Sequence, residues 1–192
     1  MHRSLPQLRR PLLLIFAALA VAMACNAEFT LVEIDHAETL PIPAELAGQP
    51  LQGEELEAGE GLDPLDSPEM EQYGGSAAAV GEAHIVEASL TAIGGAGNLD
   101  FLDEIAFFVT APGLDRQLLA EQMDIPAGKS WVALQVNEEL DLTDYVTEGV
   151  ILPVVVVTGV GPDDETALEI DFTMSLGVSV AGACEAVFGE AS

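Results

Sequence analysis

Carboxylates are the side chains this sequence offers most freely for chemistry, and two groups are dense enough to weigh as sites. Asp163-Asp164-Glu165 falls at a turn, and Asp141 and Asp144 stand just after Glu138-Glu139. Hard oxygen ligands on loop tips are how a β-sandwich holds Ca²⁺, so Asp141, Asp144, Asp163, Asp164 and Glu165 are the candidate metal ligands. Neither group has the D-x-D-x-D-G spacing of an EF-hand or a glycine–aspartate calcium repeat, and solvated turn and cap acids explain both. Paired carboxylates for glycoside cleavage can be drawn almost anywhere in so acidic a chain and therefore select nothing.

Histidine chemistry is thin. His36 sits among Glu33, Asp35 and Glu38, and His84 opens a strand-like run. A catalytic zinc site needs about three protein ligands, which two isolated histidines do not supply. Serine hydrolysis would require His36 or His84 to meet Ser89, Ser130 or Ser175, and no G-x-S-x-G, H-E-x-x-H or C-x-x-C motif is present. A hydrolase therefore demands both histidines in one cleft with converging acids. Gly94-Gly95-Ala96-Gly97-Asn98 lacks the lysine and the following helix of a phosphate loop, and it reads as a turn. Trp131 and Tyr145 would line a sugar- or partner-binding groove if exposed, but the bulk of Trp131 favours packing inside a sandwich. No cofactor is implied.

The two cysteines carry the most specific signal. Met1–Ala24 begins with Arg3, Arg9 and Arg10 and continues into the apolar run Leu12–Met23. That run is too short for a span of about 20 residues and suits the core of an export signal. Ala22 and Ala24 supply the small residues a signal peptidase needs, and Cys25 comes next. Ala22-Met23-Ala24-Cys25 resembles the lipobox of bacterial lipoproteins, departing from it in Ala at −3 and Met at −2. The resemblance covers the first 25 residues. It implies diacylation of Cys25, a membrane anchor through that lipid and, with Asn26 rather than Asp following, sorting to the outer membrane. Cys184 is then a spare thiol. If Cys25 is instead retained unmodified, the protein is periplasmic or secreted, and in that oxidising compartment a Cys25–Cys184 bridge would join the two ends.

Charge narrows the partners. The chain has 5 Lys+Arg against 33 Asp+Glu, and once Met1–Ala24 is removed the bases left are Arg116 and Lys129. A field of that sign repels phosphate backbones and excludes nucleic acid as a partner class. With so few bases, stability must come from apolar burial.

The elements that would position these residues are strands. Leu168–Val180 alternates without a break: Leu168, Ile170, Phe172, Met174, Leu176, Val178 and Val180 are apolar, and the residues between are polar or glycine. A period of two over that length is a strand with one buried and one wet face. Phe29–Ile34, Thr39–Pro43, Ile85–Ile93, Phe101–Thr110, Arg116–Gln122, Trp131–Val136 and Val150–Thr158 are further strands. Pro41 and Pro43 suit a sheet edge, and Pro153 a bulge or an edge. Ser67 caps a short helix with Pro68 at its first position, stopped by Gly74-Gly75, and Asp141 caps a single turn.

The fold expected is all-β: an antiparallel β-sandwich of about seven to nine strands, immunoglobulin-like or jelly-roll-like. Residues 1–24 are read as signal peptide, 25–81 as lipid-anchor cysteine, edge strands and acidic Gly/Pro-rich linker, 82–180 as the core, and 181–192 as a tail. Asn98-Leu99-Asp100-Phe101-Leu102 and Asp141-Leu142-Thr143-Asp144-Tyr145 are similar to stretches of uncharacterised exported bacterial lipoproteins. The expected function is a non-enzymatic envelope lipoprotein with a structural or binding sandwich, whose partner is an envelope protein or a glycan. A Ca²⁺-dependent adhesion or carbohydrate-binding module is the alternative, and a small secreted hydrolase the second.

Overall fold

The computed structural model describes residues 29–57, 59 and 61–179. The expected signal peptide (residues 1–24), Cys25, Cys184 and the expected tail lie outside the described residues.

Among the described residues nine strands build two antiparallel sheets. They are β1 (Phe29–Pro41), β2 (Pro50–Glu57), β3 (Val80–Gly94), β4 (Leu102–Thr110), β5 (Gln117–Gln122), β6 (Trp131–Ala133), β7 (Gln135–Val136), β8 (Leu152–Val160) and β9 (Thr166–Ser179). Sheet A has the order β1-β9-β3-β6 and sheet B the order β2-β8-β4-β5-β7. The pairings are nested: β1 with β9, β2 with β8, β3 with β6 and β4 with β5. Rolling that doubled ribbon also brings β9 beside β3 and β8 beside β4. This is jelly-roll connectivity, not the immunoglobulin order. Among the described residues no helix is long and apolar enough to cross a membrane.

The long alternation seen in the sequence becomes the middle of sheet A. Leu168, Ile170, Phe172, Met174, Leu176 and Val178 of β9 all point into the core, while Glu169, Asp171, Thr173 and Ser175 are half-buried on the outer face. Phe172 meets Phe107 of β4 across the sandwich, with ring centroids 5.5 Å apart. Each such buried side chain contributes about 1.5–3 kcal/mol, and the aromatic contact about 0.5–1.5 kcal/mol more.

Three local expectations are corrected. Phe29–Ile34 and Thr39–Pro43 are one continuous strand, because the polar pair His36 and Glu38 takes inward positions between Ile34 and Leu40. Pro50–Glu57, inside the stretch read as linker, is a strand paired with β8. Its register shifts between Gln52 and Glu54, where Gly53 adopts φ 74°, so Leu51 and Leu56 both reach the core despite their odd spacing. The rest of that stretch also packs on the sandwich. Helix α1 (Pro68–Glu71) starts under Ser67, whose Oγ accepts from the Met70 N–H at 3.3 Å, and Met70 is fully buried. The boundary drawn at residue 82 therefore does not separate a core from a tether. Pro153 lies one residue past the last β2–β8 pair, Glu57↔Val154, where its missing N–H leaves no gap in the ladder.

Candidate functional site

Register assembles a groove on the outer face of sheet A. Ala37, Asp171, Ser89 and Ala133 stand side by side across all four strands. Three of the four are small, so the row is a trough with one carboxylate near its middle. The next row on one side is Thr39, Glu169, Thr91 and Trp131; on the other, Asp35 and Glu87 flank Thr173. The cavity is about 980 Å³. Gln135, Val136 and Glu138 also line it, on the segment that leaves sheet A at Leu134 to join sheet B as β7.

Trp131 is 53% exposed, which corrects its expected packing inside the sandwich. The cause is parity. Val132 and Leu134 are buried, so the alternation of β6 turns Trp131 outward. Tyr145 does not join it. That ring is buried in helix α2 (Thr143–Thr147) and its hydroxyl donates to the carbonyl of Asp115. Burial, reinforced by the Asp115 charge, pushes the Tyr145 phenol above its usual value. Val86, the extra residue where β3 shifts register, is a second exposed apolar side chain on the groove.

Electrostatically the groove is one-sided. Asp35, Glu87, Glu138 and Asp171 line it, and among the described residues no Lys or Arg does. Ion pairs among the described residues are Arg116–Glu55 and a His36–Glu38 contact at 3.8 Å, neither of which neutralises a groove acid. Asp35 is held by the Thr173 hydroxyl, which donates to Oδ1 at 2.7 Å. Asp35, Glu87 and Asp171 come from three separate strands and Glu138 from the segment after β7, and the four do not converge.

The two histidines occupy opposite faces of sheet A. His36 pairs with Phe172 and faces inward, its ring centroid 5.1 Å from that of Phe172. Its Nε2 is buried without a hydrogen-bond partner among the described residues. His84 pairs with Ser175 on the outer face, and its Nδ1–H donates to the Leu140 carbonyl at 2.9 Å. The convergence that hydrolysis requires is absent from this arrangement. Ser175 and Ser89 lie on the outer face with His84, and Ser130 precedes β6, its carbonyl accepting from the Ala92 N–H.

Among the described residues no three or more His, Cys, Asp or Glu side chains are arranged to hold a metal ion. Asp163, Asp164 and Glu165 border a second, smaller cavity of about 710 Å³ with Pro41 and Ile93. Asp141 is engaged within its own turn, where its Oδ1 accepts from the Thr143 N–H at 2.9 Å and from the Thr143 hydroxyl at 2.5 Å. Burial pushes this carboxyl up, but those bonds, the Ala83 backbone and the nearby His84 outweigh it and hold Asp141 below 3.8. Asp144 caps nothing and is exposed. Gly94–Asn98 is a turn, with Gly94 and Gly97 at positive φ.

No protein-family model matches the chain, and no curated protein matches it. Solved structures with some likeness include one titled turnip yellow mosaic virus (TM-score 0.31, 10% identity, 78% of this chain and 82% of that one). Another is titled Desmodium yellow mottle tymovirus (TM-score 0.26, 8% identity, 78% of this chain and 89% of that one). A likeness of that size carries no argument about this chain.

Proposed function

We propose that this protein is an exported, non-enzymatic lipoprotein of the bacterial envelope, anchored through Cys25, whose sandwich binds an envelope protein or a glycan in the groove of sheet A. The observation that carries the binding reading is Trp131. A fold stabilised by apolar burial gains nothing by turning its one tryptophan to solvent, and here it flanks a trough of small side chains. The anchor rests on the Ala22–Cys25 motif, and the location that goes with it is the outer membrane.

Two measurements test the two halves. Intact mass of the full-length product from washed Gram-negative membranes should equal Cys25–Ser192 plus two or three acyl chains; an unacylated soluble product ends the lipoprotein reading. A photo-crosslinking residue at Ala133, in the groove, should join an envelope component, and one at Glu54 on sheet B should not. Equal yields from both positions end the groove reading.

Exposure of Trp131 beside Asp171 and Gln135 also favours the carbohydrate-binding alternative, since an indole stacks on the apolar face of a sugar while planar polar groups take its hydroxyls. Its calcium-dependent form requires a melting temperature that rises with millimolar Ca²⁺ and falls with chelator. A flat response removes that form.

A further inference from the structure

The groove is acidic and aromatic, His36 is the one basic side chain among its described lining residues, and its acids are spread out instead of gathered. We propose that its occupant is an extended, arginine-bearing peptide segment of a partner protein; this rests on the groove being the binding surface.

Three observations point that way. The first is sign. Asp35, Glu87, Glu138 and Asp171 face a cavity that no Lys or Arg lines among the described residues, and Lys129, two residues before Trp131, does not reach it. Low-dielectric walls focus such a field and raise the local concentration of cations.

The second is spacing. Asp35 and Glu87 sit on either side of Thr173, two strand intervals apart, which is roughly 10 Å. Asp171 lies one row further along β9. Separated carboxylates suit several separated positive charges on one chain, whereas a single metal ion needs them together, and they are not together.

The third is the molecule's own precedent. On sheet B, Arg116 lies 4.1 Å over the Phe108 ring and bonds Glu55 Oε1 at 2.5 Å. An aromatic face with a carboxylate holds a guanidinium there, because the planar ion stacks and donates at once. Sheet A presents Trp131 with carboxylates in the same groove and supplies no guanidinium. A partner's arginine would complete that set.

The test uses the purified full chain and a fluorescent peptide of alternating arginine and glycine, read by anisotropy at about 150 mM salt to screen long-range attraction. A glucosamine oligomer is the comparator. The expected result is peptide binding that weakens about tenfold in Trp131→Ala and again in Glu87→Gln/Asp171→Asn, as loss of a stacked, charge-assisted contact requires. Glu45→Gln/Glu54→Gln removes the same charge from the 44–46 turn and β2, outside the groove, and should leave binding within about twofold. Unchanged melting temperatures show that the variants are folded. Equal loss in both acid pairs, or no loss in Trp131→Ala, overturns the proposal, because binding is then a property of net charge. Binding of the glucosamine oligomer in place of the peptide, with the same dependence on Trp131, also overturns it while leaving the groove as a binding surface. If neither probe binds, the peptide proposal fails, and crosslinking from Ala133 judges the groove separately.

Discussion

Phe107 of β4 and Phe172 of β9 meet with ring planes inclined at 47°, one from each sheet, and the inward ring of His36 leans on the second of them. This contact holds the two layers together at the middle of the sandwich. Phe172→Ala should therefore cost about 3–5 kcal/mol in urea unfolding, and Phe172→Leu under about 1.5 kcal/mol. Trp131→Ala, by contrast, should stay within about 0.5 kcal/mol of the parent. A large loss in Trp131→Ala would mean that its ring supports the fold.

Gly161 is fixed by a close approach. A Cβ built there would collide with the Leu46 carbonyl oxygen, and the Gly161 N–H and C=O bond Gln49 and Gly48 at 2.9 Å. Gly161→Ala must push the 44–49 turn away and should cost about 1–3 kcal/mol. Hydrogen exchange at the Gly48 amide should quicken in the same variant, and an unchanged rate would show that the turn yields without losing its bond.

Asp141 links stability to acid. Its carboxyl lies lower in the folded chain than the 3.8 of the free group, so its contribution is fully present above 3.8 and is lost as pH falls through the folded value. Asp141→Asn should lower unfolding free energy at neutral pH, and the gap to the parent should close well below pH 3.8. A gap independent of pH would show that the carboxylate charge contributes nothing to it.

Acid repulsion should make the fold sensitive to salt. With 33 acids in the sequence and two ion pairs among the described residues, added salt screens repulsion and breaks little. The melting temperature should rise between about 10 mM and about 500 mM NaCl, as the screening length drops from roughly 30 Å to a few ångström. A fall over that range would show that attractive pairs outweigh repulsion.

Strands with an unbroken period were legible in the sequence, β9 above all, because burial of one face dictates the alternation directly. β2 was hidden by its bulge: Leu51 and Leu56 are five apart, a spacing that a regular strand places on opposite faces. Trp131 was legible from its neighbours Val132 and Leu134, whose inward positions force it outward, but size alone argued for burial. The groove was not legible at all. Ala37, Asp171, Ser89 and Ala133 come from four strands, and only register, which the linear chain does not display, makes them neighbours.

The nested pairing has a consequence for biosynthesis. Neither β1 nor β3 pairs with the other; each pairs with β9, which is translated after every other described strand. A nascent chain emerging amino-terminus first can close the β4–β5 hairpin as it appears, yet both flanks of sheet A wait for Thr166–Ser179 to clear the ribosome. Any premature stop before Thr166 leaves two long strand edges exposed, an aggregation hazard whatever the quality of the residues already made.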